Sequence, residues 1–407
     1  MCEPTAANPP EKCKLARVIH RILVARALRS FADGFIAVVL PAYLLALGMG
    51  QLEVGFISTA TLLGSAFATL AIGRWGHRFS IRRLLLAASL LMAATGLAFA
   101  GFGTFWPLLL VAFVGTLNPS SGDASVFMPL DHTMLATASD RTSVFARYSF
   151  LGSIAGAVGA LASGLPEWFS NRLAMLDGLR LMFLLYAAVG IAVWLLYLRL
   201  PDPHAQDQKP AAPLGPSRGI VWRLAALFSV DSFAGGLVLN SLLALWLFQR
   251  FGMSLGAAGA FFFWTGLLAA CSQLVAAPLA RRIGMINTMV FTHIPSSLCL
   301  IGAALASNFH VVLGLLLVRS LLSQMDVPAR GAFVMTVVTP AERPAAASFT
   351  AVPRSLAAAI SPSITGAMFA TGAMVAPLVA CGVLKIAYDI ALFAAFRRHE
   401  RRVQAPV

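Results

Sequence analysis

Apolar residues are gathered along this chain into long blocks, each separated from the next by a short polar turn. An α-helix needs about 20 apolar residues to cross a hydrocarbon core of ~30 Å, and its backbone polar groups are then satisfied within the helix. The pattern therefore predicts twelve membrane-spanning helices. Their predicted bounds are 22–47, 52–73, 84–103, 106–128, 145–165, 179–199, 219–249, 254–276, 287–306, 309–328, 346–371 and 374–395.

One polar segment, rich in proline, alanine, glutamine and aspartate, separates the sixth block from the seventh. Such a composition is typical of a water-exposed linker. The chain is therefore predicted to be an all-α membrane protein with two parallel six-helix bundles around a central cavity. The predicted parts are a tail 1–21, a bundle 22–200, a linker 201–218, a bundle 219–396 and a tail 397–407.

Composition supports this interpretation, because 59% of the residues are hydrophobic and 11% are charged, whereas a soluble domain has about 25% charged residues. The net charge of +14 would suggest nucleic acid in a soluble protein. Here the basic residues fall in short turns between apolar blocks, so no nucleic-acid partner is expected. The five cysteines are scattered and have no disulfide or metal spacing. No metal and no cofactor is predicted.

The basic residues also predict the orientation of the helices. With both termini in the cytoplasm, nearly all loop lysines and arginines fall on the cytoplasmic side, and the opposite side holds Arg172, Arg180 and Arg250. Positively charged loops remain in the cytoplasm. We therefore expect cytoplasmic termini, and the compact loops favour a bacterial inner membrane. Nothing in the sequence requires more than a monomer.

The two halves of the chain repeat one another at a spacing of about half its length. Four short segments recur in the same order, which is a sign of internal duplication. The matched pairs are 30–34 with 232–236, 73–80 with 277–284, Asp123 with Asp326, and 140–141 with 342–343.

Six plus six spans in the same orientation, joined by a linker, resemble the major facilitator superfamily. That family's loop after span 2 reads approximately Gly-x-x-x-Asp-Arg-x-Gly-Arg-Lys. Gly73, Arg78 and the basic pair Arg82 and Arg83 agree with it, whereas His77 replaces the acid. The resemblance implies two bundles that rock about a substrate near the midplane. It also implies a conformational latch at this loop, which His77 would make weaker, pH-dependent or differently built.

A glycine series in span 5, formed by Gly152, Gly156 and Gly159, is similar to the motif of the family's drug/proton-antiporter branch. In that branch a proline follows the second glycine, and Ala157 stands there instead. Small residues at this spacing also let helices approach closely. Helix packing and antiport therefore both remain open for this series.

Charged residues inside the spans are candidates for function, because each one is costly in lipid. Arg29 and Asp33 are four residues apart on one face of span 1. Asp33 is predicted to bind a proton or a cationic substrate, and the alternative is a static pair with Arg29. Asp231 is a second proton candidate or a partner of Arg354, whereas Lys385 and Asp389 are expected to neutralise one another.

The remaining candidates fall into two groups. Asn118 and Ser120 are predicted to line the cavity, and Arg319 with Gln324 could meet a substrate anion. The second group is a structural latch in each half, made of acids near the basic turns. Its predicted members are Gly73, His77, Arg78, Arg82, Arg83, Asp123, Arg281, Arg282 and Asp326.

These features together predict a secondary transporter of a small organic molecule, with protons as coupling ion and the bilayer as surroundings. Proton-coupled export is the first hypothesis, and proton-coupled uptake or uniport is the alternative. A non-transporting scaffold or receptor is more remote. No enzyme is expected, because the sequence has no HExxH, GxSxG or GxxxxGK[ST] motif. The residues do not define the substrate.

Overall fold

The computed structural model describes residues 9–120, 126–135, 141–201, 215–339 and 342–404, and it is helical throughout these ranges apart from turns. Twelve passes follow one another along the chain, as predicted. Their helices are α1 Pro9–Ala46, α2 Gln51–Trp75, α3 Ile81–Gly101, α4 Phe105–Val114, α5 Phe127–Leu135, α6 Arg141–Ala162, α7 Leu165–Trp168, α8 Met175–Leu198, α9 Arg218–Leu237, α10 Asn240–Phe251, α11 Leu255–Ile283, α12 Met285–Leu305, α13 Phe309–Leu322, α14 Asp326–Val337, α15 Arg343–Ala370 and α16 Ala376–Gln404.

Within the described ranges, nine stretches are long and apolar enough to cross a membrane, and α4 is a shorter apolar helix. An even number of passes returns both chain ends to one side of the molecule. We call it the terminal side; it also carries the basic turns after α2 and α11. The opposite side is called the far side.

Three passes that were predicted as single helices are each built from two. The fourth consists of α4 and α5, the seventh of α9 and α10, and the tenth of α13 and α14. The fourth stops being helical at the extended Gly115, and Pro119, which follows, has no N–H for a helical bond. The seventh breaks just after the pair Gly235 and Gly236, which favour a helix poorly. The apolar pattern runs through the break of the seventh pass and hides it, whereas polar residues mark the other two breaks, such as Asn118 in the fourth pass and Gln324 in the tenth.

The outer helices extend further than predicted. Helix α1 begins at Pro9 rather than at residue 22, and α16 continues to Gln404. The predicted tails 1–21 and 397–407 are therefore partly helical. Lysine, arginine and glutamate are good helix formers, so a helix continues into water after its apolar part has ended.

The two halves meet closely on the far side. The side-chain amide of Gln51 donates to Gln249 at 2.6 Å, and the backbone N–H of Ser363 donates to Thr59 Oγ1 at 2.9 Å. The carboxylate of Glu167 accepts from Leu255 N at 2.5 Å and from the next N–H at 2.9 Å, which caps the start of α11. These contacts close the far side of the space between the halves.

The turn before α15 is held on the terminal side by Glu342. Hydrogen bonds from the Ser217 and Thr339 hydroxyls and the backbone N–H of Gly215 lower the pKa of this carboxyl to about 2. The Thr339 hydroxyl lies 2.7 Å from it. The carboxylate therefore ties the end of the linker and the start of α9 to the turn between α14 and α15.

The glycines of α6 lie where α6 packs on α1. A Cβ atom at Gly159 would be 1.9 Å from the carbonyl oxygen of Phe31, and one at Gly34 would be 2.0 Å from the oxygen of Gly156. Both obstacles are helix backbone and cannot rotate away. The close approach of α1 and α6 therefore depends on the absence of side chains here, whether or not the series has a further role in transport.

We expect Gly159→Ala to separate α1 from α6 and to lower the free energy of unfolding by about 2–3 kcal/mol, in the range of overpacked interiors. Thermal unfolding in detergent measures the change. Gly73→Ala is the matched control, because a Cβ there meets nothing within 4 Å and alanine favours a helix. Equal unfolding temperatures for the two variants would contradict the packing role.

Candidate functional site

Buried charges in the N-terminal half meet around Asp131 on α5, whose side chain is fully buried. Its carboxylate accepts hydrogen bonds from the guanidinium of Arg29, from the Tyr148 hydroxyl at 2.9 Å and from the Tyr197 hydroxyl at 3.2 Å. The guanidinium of Arg29 also lies 4.3 Å from the centre of the Phe127 ring. One carboxylate and one arginine thus compensate each other and join α1 to α5, α6 and α8.

This arrangement changes the interpretation of span 1. The structure pairs Arg29 with Asp131, 102 residues away, rather than leaving it as the partner of Asp33. Asp33 lies one turn further along α1, is partly buried and is in electrostatic range of Tyr186 on α8. Asp131 was missed because the predicted fourth span ended before it.

A larger network occupies the C-terminal half and is centred on Asp231, which is 4% exposed. Its carboxylate accepts from Arg330 at 2.9 Å and from the Lys385 ammonium at 2.7 Å. Arg330 also pairs with Asp326, one turn before it on α14. These contacts connect α9, α14 and α16 through charged groups inside the bundle.

His293 on α12 continues this network. Its Nδ1 lies 3.0 Å from the Asp389 carboxylate, and its Nε2 lies 3.3 Å from the ammonium of Lys385. A carboxylate accepts hydrogen bonds and an ammonium donates them. The contacts therefore assign the ring proton to Nδ1, with Nε2 as acceptor. A charged chain runs from Arg330 through Asp231, Lys385 and His293 to Asp389.

Two pairings suggested by the sequence do not form. Lys385 and Asp389 do not neutralise one another, because both point into the bundle and meet Asp231 and His293 instead. Arg354 does not pair with Asp231; its Nε donates to the hydroxyl of the next residue, Ser232, at 3.1 Å. Asp326, predicted as a latch residue near the basic turn, pairs with Arg330 on its own helix.

Two members of the network could have been found from the sequence. His293 is a polar, titratable residue in the middle of the predicted ninth span, and Arg330 comes two residues after the predicted end of the tenth. Ionisable residues inside a span are a general functional signal. Asp326 lies one turn from Arg330 on the same helix. The other partners, Asp231, Lys385 and Asp389, could not have been assigned, because they lie on helices distant in sequence.

The buried bridges of the two halves are related by the internal repeat. Arg29 precedes the segment 30–34, and Asp231 precedes its copy 232–236. Arg29 bonds Asp131 in the fourth pass, and Asp231 bonds Arg330 in the tenth. The same two passes are thus joined in each half with the charges exchanged. The N-terminal bridge is completed by tyrosines, whereas the C-terminal bridge is completed by lysine and histidine.

The other cavity candidates lie at the helix breaks or within the C-terminal half. Ser120 donates to Asn118 Oδ1 from its hydroxyl at 2.6 Å, within the break between α4 and α5. Gln324 is partly buried in the break between α13 and α14. Arg319 on α13 is partly buried, with the thiols of Cys299 and Cys381 in electrostatic range of its guanidinium.

Those latch candidates that the structure describes are spread over several separate contacts. Gly73, Arg78 and Arg83 are exposed at the terminal side. Arg82 donates to the carbonyl oxygen of Leu198 at 2.5 Å, which joins α3 to the end of α8. Arg281 and Arg282 line a cavity of about 580 Å³ between α11, α12 and α14. Asp123 and the side chain of His77 lie outside the described residues.

The sequence is similar to those of known proteins, and so is the fold. The sequence profile of the Major Facilitator Superfamily matches residues 22–362. The uncharacterized membrane protein YJR124C of Saccharomyces cerevisiae is 24% identical over 426 residues, which cover 95% of each chain.

Solved transporters have the same fold. The nucleoside transporter NupG superposes with a TM-score of 0.73 at 15% identity, over 93% of this chain and 99% of its own. A bacterial homologue of the human lysosomal transporter Spinster, inward-facing and unoccupied, gives 0.73 at 16% identity, over 99% and 100%. An inward-facing bacterial homologue of the iron transporter ferroportin gives 0.70 at 17% identity, over 93% and 98%. Because the profile spans most of the chain, this integral membrane protein belongs to the major facilitator superfamily of transporters.

Proposed function

We propose that this protein is a secondary active transporter that works by alternating access and exchanges a small organic solute for protons, in the direction of export. The observation that carries the proposal is His293. This residue lies inside the C-terminal bundle, with the Asp389 carboxylate at one ring nitrogen and the Lys385 ammonium at the other. A titratable ring held between opposite charges is suited to gaining and releasing a proton.

The buried clusters of the two halves differ in whether they contain a side chain that commonly changes its protonation state near neutral pH. Arginine remains protonated, and tyrosine remains neutral, across the physiological pH range. The cluster of Arg29, Asp131 and their tyrosines is therefore suited to a fixed structural role. Histidine is the side chain that commonly exchanges its proton near neutral pH. The C-terminal network is accordingly the better candidate for coupling.

Protonation of His293 would change contacts between residues on other helices. In the neutral ring, Nε2 accepts from Lys385; in the imidazolium, Nε2 becomes a donor and repels the ammonium. Lys385 would then move or release its own proton, and its 2.7 Å bond to Asp231 would weaken. A proton arriving on α12 thereby changes the connection between α16 and α9. A change in a contact between helices is what alternating access requires.

The closed far side supports alternating access. The hydrogen bonds of Gln51, Thr59 and Glu167 hold the halves together there. If the terminal side faces the cytoplasm, as the basic residues predict, this arrangement corresponds to an inward-facing state. Export begins with a solute entering from the cytoplasm in such a state. The glycine series in α6, which resembles that of antiporters, also favours export.

Asp33 is the second candidate for the proton site. It is a partly buried carboxylate on α1, near the break between α4 and α5, and could bind a proton or a cationic group. Asp33→Asn removes its charge with little change in size. Loss of proton coupling in this variant, with His293 intact, would assign the proton to Asp33 instead.

The test is internal pH in proteoliposomes while a chemically diverse panel of solutes is added outside. Antiport predicts that a transported solute raises the internal pH, because protons leave as the solute enters. A fall in internal pH would mean proton-coupled uptake. Radiolabelled flux without a pH change would mean uniport or another coupling ion. Absence of flux for the whole panel would favour a non-transporting scaffold or receptor.

A further inference from the structure

We infer that the transported solute carries an anionic group, such as a carboxylate, sulfonate or phosphate, and that Arg354 binds it in the space between the two halves. This inference rests on the proposed function, because it names the chemical class of the solute.

Arg354 lies on α15 and is partly buried. Its Nε donates to Ser232 Oγ at 3.1 Å, and its guanidinium carbon is 5.9 Å from the centre of the Phe228 ring. These partners are a neutral hydroxyl and an aromatic ring. In the part of the chain that the structure describes, no carboxylate lies within ion-pair distance of Arg354.

The other two cations near Arg354 are compensated. Arg330 pairs with both Asp231 and Asp326, and Lys385 pairs with Asp231. Arg330 acts on Arg354 as a like charge, and Asp231 and Asp326 act on it as opposite charges from beyond ion-pair distance. Arg330 and Lys385 therefore each have a carboxylate within ion-pair distance, whereas Arg354 has none in the described part of the chain.

An uncompensated arginine in a span costs at least about 2.5 kcal/mol on insertion scales. Arginine presents donors in a planar fork that matches carboxylate and phosphate groups. Bonding through Nε leaves the two terminal nitrogens of Arg354 for a ligand. A solute anion would supply the missing counter-charge, and such charge-assisted bonds are stronger than neutral ones.

The position of Arg354 on α15 connects it with the space between the halves. Farther along α15, a Cβ at Gly366 would lie 2.9 Å from Gly55 Cα on α2, so this face of α15 meets the other half on the far side. Ser355 lies on the same face three turns earlier, given 3.6 residues per turn, and it is exposed. Arg354 precedes it at nearly the same depth, about 100° around the helix, where it reaches Ser232 on α9.

Arg354 is also next to the proposed proton pathway. Its partner Ser232 directly follows Asp231, the carboxylate that holds Lys385. An anion that draws Arg354 away from Ser232 would disturb α9 at this point. Solute binding and protonation of His293 would then act on the same segment of α9, which gives a physical route for exchange.

The first test measures the local potential with charged thiol reagents. Ser355→Cys is introduced after the native cysteines at positions 2, 13, 271, 299 and 381 are replaced by serine. The reagents are the anionic sulfonatoethyl and the cationic trimethylammonioethyl methanethiosulfonates. Thr371→Cys, exposed on the far side, corrects for their intrinsic rates. We expect the anionic reagent to be favoured at Ser355→Cys by about tenfold, a usual effect of a charged cleft.

Adding Arg354→Gln should abolish this preference, and Arg354→Lys should retain most of it. No preference, or one that survives Arg354→Gln, would overturn the anion site. The reaction is run in phosphatidylcholine nanodiscs and repeated with phosphatidylglycerol. If phosphatidylglycerol alone blocks the anionic reagent, a lipid headgroup occupies Arg354, and the assignment to a solute is wrong.

The second test compares solutes of similar shape in the internal-pH assay. The anions are benzoate, benzenesulfonate and phenyl phosphate; benzamide is the neutral control and benzylamine the cationic one. We expect responses from the anions alone and a KM raised at least about tenfold by Arg354→Gln, equivalent to one lost charge-assisted contact. Responses from benzamide or benzylamine alone would overturn the anion inference while leaving proton exchange in place. Anion flux without any pH change would instead refute proton exchange and support the role of Arg354.

Discussion

Replacing Asp231 with asparagine is expected to lower the free energy of unfolding by about 3–5 kcal/mol, the usual result of removing one partner from a buried ion pair. Asp231 receives both Lys385 and Arg330 and is almost completely buried. Asparagine keeps the size of the side chain but leaves the Lys385 ammonium without a counter-charge. Thermal unfolding in detergent, together with the fraction of monodisperse protein, measures the loss.

The double variant Asp231→Asn with Lys385→Met tests the cause. It removes the carboxylate and the ammonium together, while Arg330 keeps Asp326 as its partner. We expect it to recover most of the stability lost in the single variant, as coupled neighbours do. Asp177→Asn is the control, because this exposed pair with Arg180 should contribute less than about 1 kcal/mol. A double variant no more stable than Asp231→Asn would exclude charge imbalance as the reason.

The second large effect concerns coupling rather than stability. We expect His293→Gln to abolish the solute-dependent change in internal pH while solute exchange across the membrane continues. Glutamine can still donate to Asp389 and accept from Lys385, so the contacts at 3.0 and 3.3 Å have substitutes. It cannot carry a proton near neutral pH. The measurement is internal pH and radiolabelled counterflow in the same proteoliposomes.

His310→Gln is the matched control, because His310 lies exposed at the start of α13 in the same half. It should leave both the pH response and counterflow unchanged. A normal pH response in His293→Gln would remove this residue from the coupling mechanism. Loss of that response in Asp33→Asn would then transfer the role to the N-terminal half. Loss of counterflow as well in His293→Gln would indicate a structural defect.

The two equivalent buried bridges are built from different residue types. The bridge between Arg29 and Asp131 contains no histidine or lysine, and its tyrosines complete the carboxylate's hydrogen bonds. The equivalent bridge in the C-terminal half contains both residue types. The two equivalent bridges therefore differ in residue type, and under the proposed function the C-terminal bridge is the one that responds to protons. The exchanged signs of Arg29 and Asp231 are visible in the sequence once the repeat is aligned.

The architecture could be predicted because its causes are local. A hydrocarbon core requires apolar helices of a certain length, and each such helix is visible as one block. The twelve passes and the two-bundle fold were confirmed, and so was the superfamily. The break in the seventh pass was missed because an apolar block continues through Val238 and Leu239 whether or not the helix does. In the fourth and tenth passes, polar residues such as Asn118 and Gln324 were included within the predicted spans. A break is decided by neighbouring helices that can satisfy the released backbone groups.

The sequence by itself therefore determined the number of passes, the two halves and several of the buried charged residues, among them Arg29, Asp231 and Lys385, but not Asp131, His293 or Arg330. Only the tertiary structure decided which charges meet. Helical spacing suggested Arg29 with Asp33 and Lys385 with Asp389, yet Arg29 pairs across 102 residues and Lys385 across 154. In a medium of low dielectric constant, a buried charge is stable only beside a well-placed opposite charge. Whether that partner lies on the same helix depends on how the helices pack, and packing is a property of the whole bundle.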